Sequence, residues 1–269
     1  MLLRLAALSK TILGFDAFCL GKKFLVFNLV DRNLKIKYRR SFLGYFWTIL
    51  APLAMSAIYY FVFKVVMHIE RPHYLAFILC GVLPWSFFTQ TITESTESIV
   101  ANQGLISKIP IPIHVFPYVV SITNFSTLFL SLPVIFGLAI FSGVPIGTNM
   151  LWVFFFFACL LLLAYALGAV LAVFYVYMRD LKHAVGLILQ VWFYATPILY
   201  DSSMIPERYR WILYLNPVGS IFEGIHLSML SGAGNIYFHA GTSLFWAIMG
   251  VVVLRVTYTH LRSGLVEVL

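Results

Sequence analysis

Groups able to do chemistry are few in this chain, and they stand far apart. Glu94 and Glu97 are one helical turn from each other, a spacing that puts both carboxylates on one helix face. Such a pair binds a cation or sits solvated at a helix end, and solvation is the simpler account. His68 and His73 flank a short turn in which Glu70 is the one further ligand for a metal. Asp180, between Arg179 and Lys182, reads as a charge cluster that anchors a loop. There is no HExxH, no GxSxG and no Asp-x-Asp pair. Gly14 and Gly21-Lys22 imitate a phosphate loop, but six residues separate these glycines where four are needed, and Lys23 stands where magnesium requires a hydroxyl. No catalytic centre, metal site or ATP site is therefore expected in this chain, and no cofactor of its own.

Two other constellations suit binding. Lys35, Lys37, Arg39 and Arg40 crowd together. Arginine forks match phosphate oxygens, so Arg39 and Arg40 are candidates to receive a lipid-borne pyrophosphate. Charges that fix topology beside anionic headgroups are the plainer alternative. Aromatic residues make up 17% of the chain. Trp47, Trp152 and Trp211 fit as interfacial anchors. Tyr59, Tyr60, Trp192, Phe193 and Tyr194 are candidates to line a channel, because an aromatic face packs on the C–H face of a sugar ring and still lets it slide. Lipid-facing or core positions are the alternative for each of them.

The elements that must position these groups are membrane helices. The chain has 269 residues, 61% of them hydrophobic and only 10% charged, against about 25% charged in a soluble domain. Cys19, Cys80 and Cys159 lack metal-ligand spacing and read as apolar packers. Lys10 and Asp16 interrupt the first apolar run, which argues against a signal peptide. Residues 1–40 hold nine of the eighteen Lys and Arg. Within them Phe27, Val30, Leu34 and Tyr38 share one helical face, while Asn28, Arg32, Lys35 and Arg39 share another, as in a helix lying in the membrane interface over 24–40.

Uncharged runs and turn residues then give spans over 41–63, 72–93, 118–141, 150–177, 184–200 and 238–260. Ile109 to Met178 contains no Lys, Arg, Asp or Glu in 70 residues, and SGVPIGTN divides it into two spans. Between the last two spans, Pro206 and Asn216-Pro217 break the segment 206–230 into helices of roughly 14 and 20 Å, short of a bilayer core of about 30 Å. It reads as a re-entrant hairpin, tolerable at membrane depth only where buried or wet. With the N-terminus inside, fourteen of the eighteen basic residues fall on the inner side, as the positive-inside rule requires. The expected fold is all-α integral membrane, with six transmembrane helices, an amphipathic interface helix and an outer hairpin between helices five and six.

These landmarks, in this order, resemble the membrane subunit of a type-2 ATP-binding-cassette exporter, and within that group the permeases for O-antigen, capsule or teichoic-acid chains. DRNLKIKYRRSFLGYFWTILAPL, GVLPWSFF, NQGLISKIPIPIHVFP, YMRDLKHAVGLILQVWFYATPILY and YLNPVGSI carry the resemblance over nearly the whole chain. Ser107 and Ile113 depart from the pattern, standing where basic residues are frequent.

The resemblance implies a homodimer in a bacterial inner membrane, with both termini cytoplasmic. It also implies two copies of a separate ATPase that binds ATP and Mg, and a lipid-linked glycan of the undecaprenyl-pyrophosphate type as cargo. It implies a coupling helix in the region 102–111, built from Asn102, Gln103, Gly104, Leu105, Ile106, Ser107, Lys108 and Ile109. An interface helix with Arg32, Leu34, Lys35 and Lys37 would assist it. An outer gate would be formed by Pro206, Trp211, Asn216, Pro217 and Glu223. Two rival functions make other demands on the sequence. An intramembrane lipid or glycan transferase would need facing carboxylates or histidines, and the long uncharged run offers only His114. An ion-driven carrier would need buried ionisable groups, and Glu223 is almost alone.

Overall fold

A computed structural model describes residues 23–268 apart from Arg40, Leu43, Ile109, Pro110, Ile146 and 231–233, with side chains described as far as Leu261. Expectations that fall on Arg40, Ile109 and the first twenty-two residues lie outside the described residues. Every regular element among those described is helical. α1 (Lys23–Tyr38) is followed by α2 (Trp47–Tyr60), which continues as a π-helix over Phe61–Val66. α3 (Tyr74–Ala101) leads into the one-turn α4 (Gln103–Ile106). Then come α5 (Val115–Phe141), α6 (Trp152–Tyr177) and α7 (Leu181–Ala195). The chain ends with α8 (Trp211–Leu215), α9 (Gly219–Leu230) and α10 (Ile236–Val268).

Among the described residues, five segments are long and apolar enough to cross a membrane: Gly44–Val66, Tyr74–Ala101, Val115–Phe141, Thr148–Tyr177 and Ile236–Leu261. With so many such helices the chain is a multi-pass membrane protein. α7 is shorter, at 15 residues. The span expected over 184–200 stops being helical at Ala195 because Pro197 follows, and Thr196 before it takes an extended conformation, φ −108° and ψ 138°.

α3 and α6 form the centre of the bundle. In lipid, helices associate through close packing rather than hydrophobic expulsion, so small residues mark the contact. Ala164, Ala166, Ala169 and Ala172 of α6 are all fully buried. A Cβ added at Gly168 would fall 2.6 Å from the Cβ of Ser95, so only glycine lets α6 approach α3 there. α5 and α2 lean on α3, and α9 and α10 lean on α6. The hydroxyls of Ser56, Thr96, Ser121 and Thr123 donate to carbonyls four residues back, which satisfies them without water.

One end of this bundle carries α1, α4 and the α6–α7 turn with Arg179 and Lys182, and is called the basic end below. The other carries the π-helix, the α5–α6 turn and α8–α9, and is called the hairpin end.

Candidate functional site

At the basic end, α1 lies across the start of α5. Its buried residue is Leu29, packed with Ile111, Val115, Phe116 and Val119, and joined by Leu25, Val26, Val30, Leu105 and Ile106. The apolar face is therefore the Leu25–Val26–Leu29–Val30 stripe, and not the one expected through Phe27, which is 69% exposed. The polar side is pinned. Arg32 Nη2 donates to Asn102 Oδ1 at 3.0 Å, and Asn102 Nδ2 donates to the Ser98 carbonyl at 2.8 Å. Lys37 Nζ reaches Glu94 Oε1 at 2.9 Å and Asn124 Oδ1 at 2.8 Å, and Asn124 Nδ2 closes the triangle onto Glu94 Oε2 at 2.9 Å. Lys182 Nζ meets Glu97 Oε1 at 2.6 Å. Glu94 and Glu97 are thus not free solvated carboxylates. Each is the acceptor that ties a separate element, α1 or α7, to the end of α3. Lys35 pairs only within its own helix, with Asp31 at 2.6 Å.

From this network a partly open cavity of about 760 Å³ runs up between α2, α3 and α7. Its lining changes along its length. Lys37, Tyr38, Ser41 and Gly44 stand at the basic end. Trp47, Thr48, Thr89, Gln90, Thr93 and Gln190 follow, and Tyr59, Trp85, Phe193 and Tyr194 lie farthest along. Tyr59 stacks on Phe193 with ring centroids 5.7 Å apart, and Tyr194 meets Phe193 edge-on at 5.2 Å. Lys37 is the one charged side chain among the described lining residues.

At the hairpin end, Asn216 holds the break between α8 and α9. Its Oδ1 accepts from Trp192 Nε1 at 2.8 Å and from the Val218 N–H at 3.1 Å. Its Nδ2 donates to the Ala195 carbonyl at 3.2 Å and to Thr196 Oγ1 at 3.0 Å. Trp246 Nε1 donates to the Tyr214 carbonyl at 3.3 Å. Arg71 pairs with Asp201 and lies over the Phe77 ring at 3.7 Å. Tyr74, at the start of α3, donates to the Leu199 carbonyl at 2.7 Å. A second, smaller cavity of about 230 Å³ is lined by Asp201, Ser202, Arg210, Ser220, Glu223 and His239.

The groove is graded from a lysine at its basic end to aromatic rings farther along, and no metal cluster lies among the described residues. The profile of the ABC-2 type transporter matches residues 25–230. The chain belongs to the ABC-2 transporter family. As a member it is a transporter permease and not an enzyme. It is 30% identical over 242 residues to the O-antigen export system permease protein RfbA of Klebsiella pneumoniae, covering 90% of this chain and 93% of the relative. To the protein of that name from Myxococcus xanthus it is 36% identical over 203 residues, 73% of this chain and 76% of the relative. To the polysialic acid transport protein KpsM of Escherichia coli it is 24% identical over 246 residues, with 89% and 91% covered.

In this ABC-2 permease, the candidate channel residues divide. Tyr59, Phe193 and Tyr194 line the large cavity, while Tyr60 turns to Tyr74 and Trp192 to Phe88 and Asn216. Arg39 is exposed just past α1. Gln103 to Ile106 form α4, with Ser107 and Lys108 in the turn after it; Leu105 and Ile106 pack inward. Leu34 is half-buried. Pro206 and Trp211 are exposed at the hairpin end, where Pro217 and Glu223 are half-buried. The places of Gln90 and Gln190 in the cavity wall escaped the sequence reading, although a glutamine inside an apolar span is itself a signal.

The Arg71–Asp201 pair makes a pH prediction. Burial works to raise the Asp201 carboxyl, but the Ser203 N–H and the Arg71 guanidinium outweigh it and hold the group below the usual carboxylate range. A carboxyl depressed by folding stabilises above its unfolded value, and that contribution is lost as pH falls through the folded one. Detergent-solubilised permease is expected to melt above its Asp201→Asn variant at neutral pH, with the gap closing below about pH 4. A gap that stays constant through the acid range would remove the pair from the stability of the hairpin end.

Proposed function

We propose that this chain is the channel-forming permease of an exporter for lipid-linked polysaccharide, with O-antigen the first choice of cargo and capsule or teichoic-acid polymer the alternative. The observation that carries the reading is the large cavity. Its lining passes from a cation through amides and hydroxyls to aromatic rings, matching a ligand with an anionic head and a sugar chain. The names of the relatives point the same way. Power comes from a separate ATPase with ATP and Mg, docked at α4 on the basic end, which faces the cytoplasm of a bacterial inner membrane.

The permease works as a homodimer. α2 and α7 flank the cavity, and outside it Leu50, Ile58, Leu187, Ile188 and Val191 are exposed and apolar. A second copy across that face turns two grooves into one channel, in a symmetric dimer of the common two-fold kind. The segment from Leu181 to Tyr200 makes the sixth crossing. It meets α3 near Glu97 at one end and at Tyr74 at the other, and those two residues are roughly 35 Å apart along a helix. α8 and α9 form a hairpin that enters from the outer face and returns to it, since five and twelve residues cannot cross.

In the working cycle, ATP closes the partner dimer and pushes on α4. That push moves α1 and the end of α3, and α2 and α7 separate to admit the glycan. The experiment is deletion of the chain followed by complementation. Surface polymer should vanish and lipid-linked polymer accumulate inside, both reversed by the wild-type chain, and an ATPase should co-purify with it. Normal surface polysaccharide in the deletion strain, or transport by the purified chain without any nucleotide-hydrolysing partner, would refute the reading.

A further inference from the structure

We propose that Gln90 of α3 and Gln190 of α7 form a sugar-binding subsite inside the large cavity, one that reads paired hydroxyls of a neutral pyranose. The chain has three glutamines, and two of them line this one cavity. They stand at matching depth: Gln90 is eleven residues from the basic end of α3 and Gln190 nine from that of α7, about 16 and 14 Å at 1.5 Å per residue. Both positions lie within helices otherwise suited to hydrocarbon. Among the described residues, neither amide has a hydrogen-bond partner, although neighbouring hydroxyls such as Thr89 are tied to their own helix. A primary amide left bare in an apolar medium is costly. Gln90 is half-buried and Gln190 exposed, so both amides are open to whatever fills the cavity, water or a ligand that both donates and accepts.

A carboxamide offers two N–H donors and a carbonyl acceptor. A vicinal diol offers the complement, and so does a water chain that the diol displaces. Among the described residues no carboxylate lines the cavity, and its one described cation lies at the basic end, so the subsite favours neutral sugars. It holds them by directional bonds that can be exchanged from one ring to the next. Phe193 and Tyr194, one turn beyond Gln190, supply the flat faces. The aromatic rings let a chain slide, and the two amides give it a register. This deepens the export reading and rests on it for the identity of the ligand, but the subsite can be tested without export.

The probe is a linear neutral hexasaccharide, titrated against the full chain in lipid nanodiscs and followed by the fluorescence of Trp47 and Trp85, which line the cavity. Gln90→Leu and Gln190→Leu are each expected to weaken binding about tenfold, with Gln→Asn at either position recovering part of the loss and melting temperatures unchanged or raised. Equal affinity in wild type and the double leucine variant overturns the subsite, and so does a wild-type chain that binds no hexasaccharide. Wild-type binding lost in the leucine variants supports it even where the wild-type chain fails to restore surface polymer. That failure would count against the export reading alone.

Discussion

Gly104→Trp is expected to leave the permease folded and to lower polymer export at least about tenfold. The reason lies in what surrounds the glycine. A Cβ at Gly104 meets no atom of the described residues within 4 Å, and the residue sits in the first turn of α4, whose Leu105 and Ile106 already supply the inward packing. The chain itself therefore gains nothing from a glycine here. If α4 docks in a groove of an ATPase, the partner supplies the constraint. An indole at the centre of that contact would cost what a disrupted hot spot costs, roughly 2 kcal/mol or more, which is over tenfold in affinity. Gly147 provides the control. Its Cβ also meets open space, but it lies at the hairpin end, so Gly147→Trp should export normally. Membrane abundance, melting temperature, co-purified ATPase and surface polymer are the readouts. Full export by Gly104→Trp would move the docking surface away from α4.

What the sequence made legible was whatever depends on neighbours along the chain. Uncharged runs give helices, and Asn216-Pro217 gives a break, because apolar length and a missing backbone donor act locally. Facing was much harder to read. Leu29 is chosen over Phe27 by Ile111, Val115 and Phe116, more than eighty positions away. Glu94 and Glu97 look like solvated carboxylates until Lys37 and Lys182 arrive from other helices. The aromatic candidates are adjacent in the sequence, Tyr59 with Tyr60 and Trp192 through Tyr194. Consecutive residues on a helix point about 100° apart, so Tyr59, Phe193 and Tyr194 line the cavity while Tyr60 and Trp192 are turned into the core. The early stop of α7 was readable from Pro197, yet the uncharged run beyond it concealed the end.

The second large effect is expected at the Lys37–Glu94–Asn124 triangle, where a single ion pair fastens α1 to the end of α3 and also forms the mouth of the cavity. Lys37→Met leaves Glu94 in a partly sheltered place with Asn124 alone. Stripping one partner from a fully buried pair costs about 3–5 kcal/mol. Here Lys37 is 20% exposed and Glu94 38%, so solvent screens the pair and about 1 kcal/mol is the fitting size. The loss should show as a lower melting temperature and faster proteolysis within α1. Lys37→Glu alone and Glu94→Lys alone should be worse, since each sets like charges against one another. The exchange variant carrying both substitutions separates two roles for Lys37. It restores the attraction, so the melting temperature should recover. If Lys37 only anchors α1, export should recover as well. If its ammonium also receives an anionic head at the cavity mouth, the carboxylate now in its place repels that head, and export should stay at least about tenfold low. Recovery of stability without export is the expected result. Recovery of both would make the triangle a fastening only, and unchanged melting in the single variants would deny it even that.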